Sequence, residues 1–394
     1  MKKILILGAG VYQVPLIRKA KELRYYTIVV SIQGPYPGFA YADKVYYVDT
    51  TDKDKVLQIA KDEKISAICT TGTDVCVPTI GWVCDNLNLK GITYDSAMKV
   101  SNKWLMKKAL LEANIKTPYG YKVDCIDEAL HYFALLKNNA VLKVVDKSGS
   151  RGILHVKNED ELKAAYRECM RITDQNYLLI EQYISGMEIG VSGIVQNGEV
   201  KSIIPHSRIM FYSEGVAISL GHIFSYPLFS QKIMKKVNLE VNNAIASLSI
   251  NNTAYDVDVI ICDDDICIIE IAGRCGASGI PECMSIMHDK DFFECILNNA
   301  LGKDISLHVD MRKHAISYLL HSENEGMLKN IIIPSTLSNQ NISFDYKNGD
   351  RIPKFINGTH RIGQIIIGAN SESKRDFMLE EVKKISVEVQ PIHN

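Results

Sequence analysis

The stretch Thr253-Ala254-Tyr255-Asp256-Val257-Asp258-Val259-Ile260-Ile261-Cys262-Asp263-Asp264-Asp265-Ile266-Cys267-Ile268-Ile269-Glu270-Ile271-Ala272-Gly273-Arg274 decides how this chain folds. Two β-branched runs flank an Asp-rich turn, the pattern of an antiparallel hairpin. Centred on Asp264, the hairpin pairs Val257 with Ile271, Val259 with Ile269 and Ile261 with Cys267, an apolar face for the core. The other face pairs Ile260 with Ile268, Asp258 with Glu270 and Asp256 with Ala272. Like charges directly across a ladder sit about 4.5–5.5 Å apart at Cβ and destabilise it. A hard divalent cation shared with phosphate oxygens would compensate Asp258 and Glu270; protonation of one acid is the other route. A slip of one residue would abolish the pairing. Arg274 leaves the second strand toward a helix expected to start near Pro281, so its guanidinium and the free helix N–H groups converge on one anion.

Upstream lies Ala140–Val145, a strand with one lysine, Lys143, among apolar neighbours. A buried ammonium needs an anion. The strand runs into Asp146-Lys147-Ser148-Gly149-Ser150-Arg151-Gly152-Ile153, a small flexible loop whose N–H groups can wrap phosphate oxygens. It is not a Walker A loop, since the lysine precedes the glycines; a hairpin turn with an edge lysine is the plainer alternative. Next, Tyr177–Ile184 is a strand ending in a hinge, Glu181-Gln182-Tyr183-Ile184, whose backbone can read an adenine edge. Glu188 follows Gly186 closely and can accept hydrogen bonds from both ribose hydroxyls, or be a solvated turn acid.

The first hundred residues alternate strand and helix: strands Lys3–Leu7, Thr27–Ser31, Lys44–Val48 and Ala67–Thr70, helices Pro15–Leu23, Asp52–Asp62 and Val75–Leu87. Continuous β-branched runs between helices indicate a doubly wound parallel sheet. Gly8-Ala9-Gly10 opens like a dinucleotide fingerprint, but Gln13 stands at its third glycine and no acid ends the second strand. This loop and Thr71-Gly72-Thr73-Asp74 flank a crevice that can touch substrate.

With 394 residues, the chain is long enough for two or three domains. Forty-five Lys plus Arg against 46 Asp plus Glu give a net charge of -1 with no block of one sign, which argues against nucleic acid or an anionic membrane as partner. The N-terminal apolar run is too short for a signal peptide, and no run approaches a membrane span. The ten cysteines include no CxxC pair, so free thiols in a reducing cytoplasm are expected.

Taken in this order, the segments resemble the ATP-grasp superfamily, in its carboxylate–amine ligase, carbamoyl phosphate synthetase-like and biotin carboxylase-like branches. The resemblance implies a mixed α/β and α+β chain of three parts: a Rossmann-like pre-ATP-grasp domain (1–95), an ATP-grasp domain (96–303) with a lid at about 118–209 and a mainly antiparallel catalytic sheet, and a C-terminal α+β extension (304–394) packing on that sheet. Strands Ala315–Leu320, Ile331–Pro334, Ile342–Tyr346 and Arg361–Ile367 and a helix Lys374–Ile385 are expected in the extension. By the same resemblance Lys103 and Lys143 are phosphate lysines and Ser148, Gly149, Ser150 and Gly152 the loop over the phosphates. Glu181, Gln182, Tyr183 and Ile184 become the adenine hinge, Glu188 the ribose acid, Asp258 and Glu270 the magnesium acids and Arg274 the catalytic arginine; His206 and Arg208 rank second.

Gln182 stands where the family often carries lysine, and Ala272 where it carries a metal-binding asparagine. Asp256, across from that alanine, or a water is expected to fill the missing coordination place. The implied activity is an ATP- and Mg2+-dependent ligase (Mn2+ able to substitute) that makes an acylphosphate from a carboxylate and passes it to an amine, amino acids among the candidates. Bicarbonate activation and a non-catalytic nucleotide-binding regulator are the alternatives. The expected partners are small-molecule carboxylate and amine substrates, with no nucleic acid and no membrane, in a cytoplasmic homodimer.

Overall fold

The computed structural model describes every residue except 150, 214–215, 226–227, 264, 311 and 392–394. The first four strands, β1 (Lys3–Leu7), β2 (Tyr26–Ser31), β3 (Lys44–Tyr47) and β4 (Ala67–Cys69), form an all-parallel sheet in the order β3-β2-β1-β4. Helices Val14–Glu22, Lys53–Glu63 and Val77–Leu87 connect or follow them, within two residues of the sequence expectation. Leu5 and Ile28 point into one apolar cluster and Ile4 and Val29 into another, because β-branched runs bury both faces of a parallel strand.

Glu63, at the end of its helix, ties this unit together. Its carboxylate takes Lys3 at 2.7 Å, Lys44 at 2.5 Å and the Tyr46 hydroxyl at 2.6 Å, which hold it down at about 2. A depressed acid stabilises the fold above its unfolded value of about 4.5, and this stability disappears as pH falls toward 2. Melting temperature should therefore fall across that window, and Glu63→Gln should melt lower at pH 7 with a flatter acid limb.

A second, antiparallel sheet holds β5 (Gly120–Val123), β6 (Ala140–Lys143), β7 (Ile153–Val156) and β8 (Leu178–Gln182) in the order β5-β8-β6-β7. Helices Ile126–Leu135 and Glu159–Ile172 cover it around Phe133, Leu162 and Ile180. The chain then enters the large sheet through β9 (Met187–Gln196), β10 (Glu199–Ser213), β11 (Val216–Phe224), β12 (Thr253–Cys262) and β13 (Asp265–Ala272). The last strands are β14 (His314–Leu320), β15 (Gly326–Ile332), β16 (Asn341–Phe344), β17 (Arg351–Ile352), β18 (Gly363–Ala369) and β19 (Ser386–Gln390). The eight-stranded sheet runs β13-β12-β9-β10-β11-β14-β18-β16, and β17-β15-β19 make a small fourth sheet. Residues 187–209, grouped with the lid by the sequence, thus belong to the large sheet. The C-terminal strands β14, β18 and β16 extend that sheet by hydrogen bonding and do not merely pack on it. The strand expected at Ile331–Pro334 begins earlier, at Gly326, and β17 and β19 were not anticipated.

The hairpin keeps the predicted partners near its base: Asp256 faces Ala272, Val257 faces Ile271 and Asp258 faces Glu270. Beyond Asp258 a bulge shifts the register, so Val259 faces Ile268, Ile260 faces Cys267 and Ile261 faces Ile266. The expected pairs Val259/Ile269, Ile261/Cys267 and Ile260/Ile268 are therefore not formed, because Ile269 is the extra residue of the bulge. Asp264, on which the hairpin was centred, lies outside the described residues. One cluster joins Leu5, Leu7 and Ile28 of the first sheet to Ile189, Val257 and Ile271 of the large sheet, a shared core.

Candidate active site

Sheet register places the polar groups in rows. Glu270, Asp258, Gly190 and His206 lie side by side across β13, β12, β9 and β10, and Ala272, Asp256 and Ser192 form the next row. Gly190 is needed because a Cβ there would stand 2.1 Å from the His206 ring. His206 is buried, stacked on Phe224 with centroids 4.5 Å apart. Ser192 donates its hydroxyl proton to Asp256 Oδ1 at 2.7 Å, so His206 Nε2, 3.0 Å from Ser192 Oγ, donates to that hydroxyl oxygen. His206 Nδ1 then accepts from His222 Nδ1 at 3.2 Å. Burial pushes both imidazoles below the ordinary histidine value, which fits this neutral chain.

The Asp258–Glu270 pair is compensated within the protein. Arg208 bridges Asp258 and Glu188, and Lys103 Nζ lies 3.3 Å from Glu270 Oε1. Burial nevertheless raises Asp258 to about 7; Arg208 opposes that rise, and Asp256, Glu270 and Glu188 add to it. Asp256 does not join these two acids. It is committed to Ser192, to His206 at 3.7 Å and to Arg274 at 3.8 Å, and no group of three His, Cys, Asp or Glu suited to a metal occurs among the described residues. In this arrangement Asp256 is thus held by Ser192, His206 and Arg274.

Lys143 has its anion in Glu181. The Glu181 carboxylate is buried between Lys143 and Lys107, the latter at 3.0 Å, and Lys107 also contacts Thr117. Burial pushes Glu181 up, but the two ammoniums override it and hold the carboxyl below its usual range. Burial lowers Lys107, against the pull of Glu181, whereas Lys143 stays above the ordinary lysine value through Glu181, Glu270 and Asp258. The Glu181 side chain is thus an internal counter-ion within the hinge. In the rest of the hinge, Gln182 N–H donates to Tyr119 O at 2.8 Å and Tyr183 N–H to Asn139 O at 3.3 Å. Tyr183 stacks on His155 at 3.9 Å, and the Ile184 N–H has no partner among the described residues.

Lys103 donates to Lys147 O at 2.6 Å and so sits beneath the glycine loop. Gly152 (φ 68°) is required, since a Cβ would lie 2.4 Å from Val144, whereas Gly149 (φ 69°) faces open space. Ser148 accepts from Arg151 through its carbonyl at 3.0 Å, and Ser150 lies outside the described residues. At the Gly8-Ala9-Gly10 turn, Gln13 fills the space a dinucleotide would use: Gln13 Oε1 accepts the Gly10 N–H at 2.9 Å and lies 3.0 Å from where a Gly8 Cβ would be.

Arg274 reaches Asp74 with Nη2 at 2.7 Å. Burial works against its charge, but Asp74 and Asp256 more than offset that. The Nε atoms of Arg274 and of Arg208 are both buried without a hydrogen-bond partner among the described residues. Two guanidinium donors left open beside an acid pair fit an oxyanion and its metal. Asp258 and Glu270 are oxygen donors of the right number for Mg2+ that also binds phosphates. Sequence reasoning missed Lys107, Ser192 and His222; only the one-turn spacing of Lys107 from Lys103 hinted at the first.

A parallel-sheet unit, a small and a large antiparallel sheet, two buried lysines and an acid pair near them make a site suited to a nucleotide and its metal. Residues 100–278 match the model for the ATP-grasp domain. The carbamoyl phosphate synthase large chain of Clostridium beijerinckii is 22% identical over 306 residues, 71% of this chain but 28% of that protein, so the chain spans under a third of that relative. Phosphoribosylglycinamide synthetase from Anaerococcus prevotii superimposes with a TM-score of 0.82 and 29% identity over 99% of this chain and 100% of that one. The biotin carboxylase domain of 2-oxoglutarate carboxylase from Hydrogenobacter thermophilus, solved with MgADP and bicarbonate, gives 0.81 at 17% identity over 98% and 91%. No helix among the described residues is long and apolar enough to cross a membrane.

Proposed function

We propose that this ATP-grasp ligase activates a small carboxylate as an acylphosphate and transfers the acyl group to an amine, an amino acid being the leading carboxylate. The observation that carries the reading is the convergence of Lys103, Lys143, Asp258, Glu270 and Arg274 on one side of the large sheet. Lys103 and Lys143 bind the triphosphate, and the glycine loop lends its N–H groups. Ile184 reads the adenine edge, and Glu188 turns from Arg208 to the ribose. Mg2+, held by Asp258 and Glu270, would neutralise charge on the phosphate oxygens. Arg274 orients the carboxylate, whose oxygen attacks the γ-phosphorus as ADP departs; the amine then attacks the acyl carbon, giving up a proton as inorganic phosphate leaves. The β5–β8 sheet with its two helices is the lid that excludes water from the acylphosphate.

The relative that makes a glycinamide supports an amino-acid carboxylate, and the likeness to a bicarbonate-bound carboxylase domain supports bicarbonate as the second reading. Release of ADP and phosphate from Mg·ATP is to be measured against panels of carboxylates, amines and bicarbonate, with hydroxylamine to trap the acylphosphate as a hydroxamate. ADP formation that needs both a carboxylate and an amine supports the ligase; AMP release, or ADP formation indifferent to every carboxylate, sinks it. Asp258→Asn should raise the Mg2+ concentration for half-maximal turnover by about tenfold or more, as loss of a direct carboxylate ligand implies, readable in a metal titration at saturating ATP.

A further inference from the structure

The loop after β4 is docked against the strand end that carries Arg274. Thr71 pairs with Cys275 as an isolated parallel bridge, and Gly72 N–H donates to Cys275 O at 3.0 Å. On its other side Thr71 donates its hydroxyl to Tyr12 O at 2.8 Å and accepts from the Gln13 amide. Gly72 adopts φ 65°, and a Cβ there would strike Tyr12 at 2.7 Å, so the close approach excludes any other residue. Two residues further on, Asp74 sends both carboxylate oxygens to Arg274 Nη2, each at 2.7 Å. Among the described residues, the large sheet contributes the longer contact from Asp256, 3.8 Å from Nη1, and Nε has no hydrogen-bond partner.

We propose that Asp74 is a positioning residue: the parallel-sheet unit reaches across and locks one corner of the Arg274 guanidinium, so that Nη1 and Nε face the reacting carboxylate and phosphoryl oxygens. This rests on the ligase reading above and extends it by assigning a role in the reaction to a residue of the N-terminal unit. An arginine on the free end of a strand has several rotamers of similar energy, and a carboxylate on a docked loop selects one of them. Misplacing a catalytic group by about 1 Å can cost about 100-fold in rate.

The test compares wild type, Asp74→Asn and Asp74→Glu. In Asp74→Asn, kcat should fall about 30- to 100-fold while KM for ATP and the melting temperature stay near wild type, and Asp74→Glu should recover a large part of the loss. Selective 15N-arginine NMR supplies a readout free of turnover. The Arg274 Nη protons, assigned by their loss in Arg274→Lys, should be resolved in wild type by restricted rotation and collapse together in Asp74→Asn. Unchanged Arg274 signals in Asp74→Asn overturn the proposal. So does a kcat that stays the same or rises, the latter marking Asp74 as a stand-in that competes with the substrate carboxylate. If wild type forms no ADP with any carboxylate and amine, the ligase reading falls, and the NMR comparison still decides whether Asp74 holds Arg274.

Discussion

Glu181→Ala is expected to destabilise the protein by about 3–5 kcal/mol, the usual effect of stripping one partner from a buried ion pair. Its carboxylate is set between Lys107 and Lys143, and all three side chains are buried. Without it two ammoniums share a dry site. Lys107, whose affinity for its proton burial already weakens, would release it first. The sign of the pH effect follows. The unfolded chain then binds a proton that the folded variant lacks, so the stability of the variant rises with pH up to the unfolded lysine value of about 10.4. Thermal melts of wild type and variant between pH 6 and 10 check this. A variant that melts with wild type at pH 7, or loses stability toward pH 10, contradicts the buried triad.

Arg274→Ala should reduce kcat about 100- to 1000-fold, roughly 2.7–4 kcal/mol of barrier, as for removal of a preorganised donor to a developing oxyanion. KM for ATP should change little, because Lys103 and Lys143, not Arg274, hold the triphosphate in the proposed arrangement. The substitution also leaves Asp74 and Asp256 without their guanidinium, so a modest drop in melting temperature should accompany it. Initial rates of ADP release at saturating and limiting ATP separate the two constants. An equal loss in kcat and in ATP affinity would move Arg274 from the transferring group to the nucleotide.

The parallel sheet was legible because β-branched runs of four to six residues between amphipathic helices have one economical arrangement. The Asp258–Glu270 pairing follows from a hairpin centred on Asp264, yet next to the turn Cys262 faces Asp265, a register one step away, and only the bulge at Ile269 restores the pair. The bulge at Ile269 was hidden because Ile268 and Ile269 are both apolar: either register yields an oily face, and alternation cannot choose between them. For Asp256 the decisive neighbour was Ser192, on a strand 64 residues away whose register no local pattern announces. Glu181 sat in a recognisable hinge, yet its orientation depended on Lys107, which reads in sequence as one more lysine on a helix. Asp74 stood in a loop that the sequence sets after the fourth strand, but its partner lies 200 positions along the chain.

The additional residue at Ile269 also uncouples the two ends of its hairpin. Distal to it the strands are offset by one step, while the acids on the proximal side keep their facing positions. Lengthening, shortening or tagging the tip around Asp263 should therefore be absorbed at that slack point without dislodging Asp258 from Glu270, which makes the tip a natural place to graft a reporter or an affinity handle on a working enzyme.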